Sequence, residues 1–269
     1  MKKLLTGLFI AALFFCFAHL QAQTTRALKK TLELQMPGTE GSNGGAVAWH
    51  AVQKKYYAGM AGNATYPLAV FDAMGKCLSP DDLTTKIDLR SLWYNPGTKS
   101  ICGNGYKAEG WFSYKLNTKG IPEEHTIIQL GQNQPGEQSV GAYDAKKKFV
   151  YFLNGQKVVV YNEEGEELKD SAIALLINID EEYAGDDEDY FDENFNSTTV
   201  VFTGILKNEL GLLNYTKPQI ELYNINTGAI SQILKLPEDA LAYDWFNFSF
   251  ANGIYWLFDK DKRKWAGYK

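Results

Sequence analysis

A turn signature that recurs at a near-constant period, apolar runs that alternate with polar residues, and a terminal segment able to complete an unfinished last repeat together predict an all-β protein. The predicted fold is a β-propeller of five four-stranded blades, with six blades as the alternative. Helical periodicity of any length is absent after the first 22 residues, which leaves little room for an α/β fold.

The turn signature appears four times. An apolar run reaches Phe, Leu or Tyr, then Asp or Asn, then two or three residues and Gly: Phe71-Asp72-Ala73-Met74-Gly75, Leu116-Asn117-Thr118-Lys119-Gly120, Tyr161-Asn162-Glu163-Glu164-Gly165 and Tyr223-Asn224-Ile225-Asn226-Thr227-Gly228. An Asp or Asn side chain at the first turn position accepts from the backbone two residues on, and Gly takes the positive-φ position that lets the chain re-enter a strand. The four glycines are 45, 45 and 63 residues apart, and the long interval becomes 45 if residues 178–195 are an insertion of 18 residues.

Upstream of each turn lies a pair of strands: residues 45–50 with 55–59, 91–95 with 99–103, 139–144 with 148–153, and 198–203 with 209–214. Each unit then runs through a third strand, such as 156–162, into a fourth, more polar one such as 166–176. A fifth unit starts near Phe246, with strands at 247–252, 254–258 and 264–268 and a turn at Asp259-Lys260-Asp261-Lys262, and stops one strand short. Residues 28–36 before Pro37 read like residues 230–236 before Pro237, the outer strand of the fourth unit, so the N-terminal segment is expected to close the ring by completing the last blade. The strand order and blade length resemble those of NHL-like and related bacterial propellers over nearly all of residues 26–269. That resemblance implies a fold and no single function, because such proteins serve as scaffolds, sugar-binding proteins, glycosidases and lactonases.

The first 23 residues read as an address. Lys2 and Lys3 precede an uncharged, largely apolar run from Leu4 to Ala18, followed by small and polar residues, the pattern of a secretory signal peptide cleaved after Ala22. The run is shorter than the roughly 20 residues a membrane-spanning helix needs. The expected product is a single propeller domain, residues 23–269, outside the cytoplasm: secreted or periplasmic, with no transmembrane segment and expected to be a monomer.

The chain has 269 residues, 45% hydrophobic and 22% charged, a balance that supports a large core and excludes disorder. Its net charge of −5 lacks the footprint that draws a protein to nucleic acid, so no nucleic-acid partner is expected. Cys77 and Cys102 are the two cysteines beyond the leader; a bridge between them and a pair of buried thiols are both open. No zinc signature, Ser-His-Asp set, P-loop or GxGxxG is present.

Aligning the five inner strands on Trp49, Tyr94, Tyr143, Phe202 and Phe250 places Asn43, Asp88, Glu137, Asn196 and Asp244 six residues earlier, all amides or acids. Such a ring at a channel mouth could hold a sugar or a cation, and Asp88, Glu137 and Asp244 are the candidate catalytic carboxylates of a hydrolase; polar loop residues that merely shape turns are the alternative. Asn43, His50, Asn196 and Trp245 are the candidate ligand-binding residues, Trp245 as a stacking platform and His50 as a group exposed in the channel. The remaining tryptophans are expected to fill the wedges between blades. Residues 180–193 carry nine carboxylates and no Lys or Arg. Asp186, Asp187, Glu188, Asp189 and Asp192 are the candidate metal ligands there: a solvated loop is the reading, so no cofactor is expected, and calcium is the alternative that such a run would hold. Two function classes stay open: a propeller that binds a protein partner or a small polar ligand such as a carbohydrate, and a carbohydrate-active or related hydrolase with carboxylates at the central channel.

Overall fold

The computed structural model describes residues 24–177 and 193–269. Among these, twenty strands form five sheets arranged as the blades of a β-propeller. The chain opens with β1 (Thr24–Ala27) and β2 (Lys30–Gln35). Blade 1 holds β3 (Asn43–His50), β4 (Lys55–Ala61) and β5 (Leu68–Asp72); blade 2 holds β6 (Trp93–Asn95), β7 (Ser100–Asn104), β8 (Trp111–Leu116) and β9 (Pro122–Gln129). Blade 3 is β10 (Ala142–Asp144), β11 (Phe149–Asn154), β12 (Lys157–Asn162) and β13 (Ile173–Ala174); blade 4 is β14 (Val201–Phe202), β15 (Leu210–Asn214), β16 (Gln219–Tyr223) and β17 (Ile230–Lys235). Blade 5 is β18 (Phe248–Ala251), β19 (Ile254–Asp259) and β20 (Lys264–Tyr268), completed by β2. The count is therefore five, and the six-blade alternative falls.

The predicted turns form as the chemistry requires. Asp72 Oδ1 accepts from Met74 and Lys76 N, Asn117 Oδ1 from Lys119 and Ile121 N, and Asn162 Oδ1 from Glu164 and Glu166 N. The glycine that ends each repeat sits at positive φ, between 67° and 85°. At Gly228 an added Cβ would also lie 1.9 Å from Ala174 O, so both the conformation and the space demand glycine.

Ring closure follows the expected pairing. β2 pairs antiparallel with β20, Leu34 opposite Trp265 and Gln35 opposite Lys264. One feature was not anticipated: β1 adds to the outer strand of blade 4 in parallel, Thr24 opposite Gln232 through Ala27 opposite Lys235. The N-terminal segment thus ties blade 4 to blade 5 while it completes blade 5. Blade 1 departs from the four-strand expectation. Its outer position is an irregular segment held by single bridges, Phe71 with Cys77 and Pro67 with Thr84, and Pro80, which has no N–H to give a ladder, lies within it. In blade 3 the expected strand at 166–176 shrinks to the two residues of β13.

Hydrophobic burial is divided among five wedges, one per pair of neighbouring blades. Tyr57, Leu89, Ile101 and Phe112 pack between blades 1 and 2; Trp111, Val150 and Phe152 between 2 and 3; Tyr151, Leu210 and Tyr223 between 3 and 4; Leu222, Phe248 and Leu257 between 4 and 5; and Tyr56, Phe71, Trp256 and Trp265 between 5 and 1. Trp111, Trp256 and Trp265 are fully buried, as the wedge argument expects. Cys77 and Cys102 carry no disulfide, and burial pushes the Cys102 thiol up from its ordinary value. No helix among the described residues is long and apolar enough to cross a membrane. The leader expected at 1–22 and residues 178–192 of the acidic run lie outside the described residues.

Candidate functional site

The inner strands β3, β6, β10, β14 and β18 run side by side around the axis, and the residues of all five line one cavity of about 390 Å³. Its inner wall is apolar and buried: Val47, Ala48, Leu92, Val140, Gly141, Val200 and Phe248. Its opening lies where the inner strands end, because Ala51, Pro96, Ala145 and Asn252, the exposed turn residues just beyond those ends, also line it. The volume falls within the roughly 300–1,000 Å³ of small-molecule sites. No Asp, Glu, Lys, Arg or His is among the lining residues.

Near this opening each inner strand contributes one large aromatic residue: Trp49, Tyr94, Tyr143, Phe202 and Phe250, all half-buried and all lining the cavity. Each leans on a second ring. Trp49 lies against Tyr56 with centroids 4.4 Å apart, Tyr94 stacks on His50 at 3.9 Å, and Tyr143 stacks on Trp93 at 5.7 Å. Phe202 meets Tyr151 at 5.2 Å and Phe250 meets Tyr255 at 4.8 Å. Offset and edge contacts of this kind hold ring orientation, so the collar is supported by a second aromatic layer. Polar contacts pin two of the participants. Tyr143 donates its hydroxyl to Glu163 Oε2 at 3.1 Å, and Asn252 Nδ2 donates to the Tyr56 hydroxyl at 2.7 Å. Glu163 is itself paired with Lys148 Nζ at 2.9 Å, which holds its carboxyl below the usual range.

The opposite end of the channel, where the inner strands begin, is built from polar bonds that run from blade to blade. Gly62 N donates to Asp88 Oδ1 at 2.6 Å, joining blades 1 and 2. Asn104 Nδ2 donates to Ser139 O at 2.8 Å while Gly141 N donates to Asn104 Oδ1 at 3.1 Å, joining blades 2 and 3. Val140 N donates to Thr198 O at 3.0 Å, and Asn196 Nδ2 reaches Tyr243 O and Phe246 O at 3.0 and 2.9 Å. Gly44 N donates to Asn247 Oδ1 at 2.8 Å and closes the circuit.

The sequence-selected residues fall into this second region, with one exception. Asp88 is ion-paired with the buried Arg90 at 2.5 Å, and the same guanidinium donates to Gln138 Oε1 at 2.7 Å and lies over the Tyr106 and Phe246 rings. Glu137 is paired with Lys107 at 3.1 Å and accepts from the Tyr106 hydroxyl; these two donors hold its carboxyl below the usual range. Asp244 is exposed and accepts from Ser197 N through its backbone carbonyl at 2.7 Å. Asn43 Oδ1 faces Asn247 Nδ2 at 3.5 Å, and Asn196 is fully buried. Trp245 is 45% exposed and stacks on Phe246. None of these lines the cavity. The exception is His50, buried behind Tyr94 at the other end, where Gln53 N donates to its Nδ1 at 3.3 Å and burial lowers its pKa from the usual 6.5. Asp186, Asp187, Glu188, Asp189 and Asp192 lie outside the described residues, and no group of three or more His, Cys, Asp or Glu suited to a metal occurs among the described ones.

The collar itself was not selected from the sequence, although its five members were the positions on which the inner strands align. The signal is their recurrence at one strand position as large rings in every unit.

Fold and cavity together define a five-bladed β-propeller whose central channel opens at one end through an aromatic collar. No protein-family model matches the chain, and no curated protein matches it in sequence. Among solved structures it is similar to the glutaminyl cyclase of Myxococcus xanthus, at 8% identity and a TM-score of 0.57, over 92% of this chain and 97% of that one. It also aligns with the β-propeller domain of Cps50 (Swd1) from Myceliophteria thermophila, at 8% identity and a TM-score of 0.46, over 90% of this chain and 99% of that one. At such identities the likeness concerns the fold alone.

Proposed function

We propose that this chain is an extracytoplasmic ligand-binding propeller that holds the flat, apolar part of a small molecule inside the aromatic collar and performs no catalysis. The observation that carries the reading is the convergence of Trp49, Tyr94, Tyr143, Phe202 and Phe250 from five separate blades on one open cavity. Half-buried rings held by a second layer supply a large contact area at low cost in side-chain entropy, the usual basis of recognition by stacking. The cavity wall offers no carboxylate, imidazole or amine that could move a proton at neutral pH, which favours binding over turnover. The extracytoplasmic placement rests on the leader sequence of residues 1–22. The hydrolase alternative depends on Asp88, Glu137 and Asp244, which occupy the other end of the channel and are engaged with Arg90, with Lys107 and with solvent.

The test is a fluorescence titration of the purified protein with two-ring aromatic compounds, read through Trp49 and Trp93. A saturable change in the wild type that is abolished by Phe202→Ala and Tyr143→Ala supports the reading. A wild type whose emission never saturates with any flat compound, while both variants stay folded, rules it out.

A further inference from the structure

The turns that frame the collar share a second property. Lys54, Lys99 and Lys148 occupy the last turn position between the first and second strands of blades 1 to 3, and Lys207 lies three residues before the second strand of blade 4, each in the left-handed region with φ of 53°, 58°, 60° and 68°. That conformation is disfavoured for side chains other than Gly, Asn and Asp, so a long cationic residue at all four positions is a choice that local stability does not explain. Lys146 and Lys147 lie on the blade 3 turn as well, and every one of these lysines is exposed.

Among the left-handed lysines the partners differ from site to site. Lys148 is engaged by Glu163, and two further left-handed lysines at the opposite end have partners: Lys107 with Glu137, and Lys86 with Glu123 O. Lys54, Lys99 and Lys207 make no ion pair among the described residues. Within a protein of net charge −5, the turns beside the aromatic opening on blades 1, 2 and 4 thus carry three exposed lysines without an ion pair. An aromatic collar alone would suit a quaternary ammonium, which rings attract through their faces, but a rim of lysines repels such a cation and attracts an acid.

Building on the binding reading above, we propose that the ligand is an organic anion, its apolar ring system held by Trp49, Tyr94, Tyr143, Phe202 and Phe250 and its acid group met by Lys54, Lys99 and Lys207. Val52, Ile205 and Leu206 stand exposed on two of the same turns and would lengthen the apolar surface available beside the charge.

Calorimetric titration with three probes that share one ring system tests this: naphthalene-2-carboxylate, neutral 2-naphthalenemethanol and the cationic (2-naphthylmethyl)trimethylammonium. The expected order is carboxylate first, by about tenfold over the alcohol at low salt, narrowing as salt screens the rim. Replacing the three lysines together, Lys54→Asn, Lys99→Asn and Lys207→Asn, is expected to erase the carboxylate's advantage while leaving the alcohol's affinity unchanged. Because Asn suits the left-handed region, the melting temperature of this variant should hold or rise, which separates loss of binding from loss of fold. Equal affinity for carboxylate and alcohol overturns the charge assignment and leaves the binding reading intact; no affinity for any of the three overturns the binding reading itself. Preference for the ammonium probe overturns the anion assignment in favour of an aromatic cage. Sedimentation of the protein with phosphatidylglycerol vesicles, lost in the triple variant and with no carboxylate preference, would assign the rim to a lipid surface instead.

Discussion

The two ends of the central channel are made of different materials. Where the inner strands begin, side-chain and backbone polar groups bond from each blade to the next, Gly62 to Asp88, Asn104 across to Ser139 and Gly141, Val140 to Thr198, Asn196 to Phe246 and Asn247 to Gly44, while the buried Arg90 pairs with Asp88 within blade 2. Where they end, aromatic rings lean on one another with few polar bonds, and the channel opens. Polar bonds between blades are short, directional and sensitive to spacing, so they set the geometry of the ring. Stacked aromatics tolerate a guest of varied shape. On the binding reading proposed above, one end governs ring closure and the other ligand contact.

The largest effect is expected from Arg90→Met. The guanidinium is 4% exposed and serves Asp88, Gln138 and Leu89 O, so its loss strands a nearly buried carboxylate and should cost about 3–5 kcal/mol in urea denaturation. Asn196→Ala removes two hydrogen bonds to backbone carbonyls, the one to Phe246 O buried, and should cost about 1–3 kcal/mol by the same measurement, with the collar's fluorescence response preserved in the folded fraction. At the other end, Trp49→Ala should cost under about 2 kcal/mol, since the ring is only half-buried, yet abolish the response to flat ligands. If Trp49→Ala destabilised as much as Arg90→Met, the division of labour between the two ends would fail.

The smallest effect concerns acid. Burial holds His50, and likewise His125 on β9, below the usual 6.5, so folding favours their neutral forms. The unfolded chain takes up these protons first; stability from this source is therefore complete above about pH 6.5 and declines as the pH falls toward the folded values. The urea midpoint should drop between pH 7.5 and 5.5, and less so in His50→Gln. Because His50 backs Tyr94, the same acidification should weaken ligand response at the collar before it disturbs the bonds at Asn196.

Much of the fold was legible because it rests on local chemistry. The Asx-Gly turns at Asp72, Asn117, Asn162 and Asn224 carry their own hydrogen bonds and their own positive-φ glycines, so they declare themselves in sequence. The completion of blade 5 by residues 30–35 was legible for a related reason: its alternation matches that of residues 230–235, which do the same job in blade 4. The parallel addition of β1 was not, since four exposed residues bonded through their backbone leave no pattern in their side chains. The irregular outer segment of blade 1 was half-visible in Pro80.

The site shows the limit from the other side. Asn43, Asp88, Glu137, Asn196 and Asp244 do form a recurring set at one end of the inner strands, and sequence found it. That Asp88 faces Arg90, that Glu137 faces Lys107 and that Asn196 caps backbone carbonyls of the next blade are facts about neighbours 2 to 50 positions away in the chain, which composition cannot report. The aromatic positions were equally visible as an alignment.

What the sequence alone determined is the repeat: its period, its turn chemistry, its all-β character and the pairing that closes it, because each depends on residues adjacent in the chain. What only the tertiary structure decided is which end of the channel is open, which rings point into it and which charges go unpaired around it. Those properties belong to the ring as a whole, where five strands far apart in sequence meet at one axis, and a side chain's role there is set by the blades on either side of it.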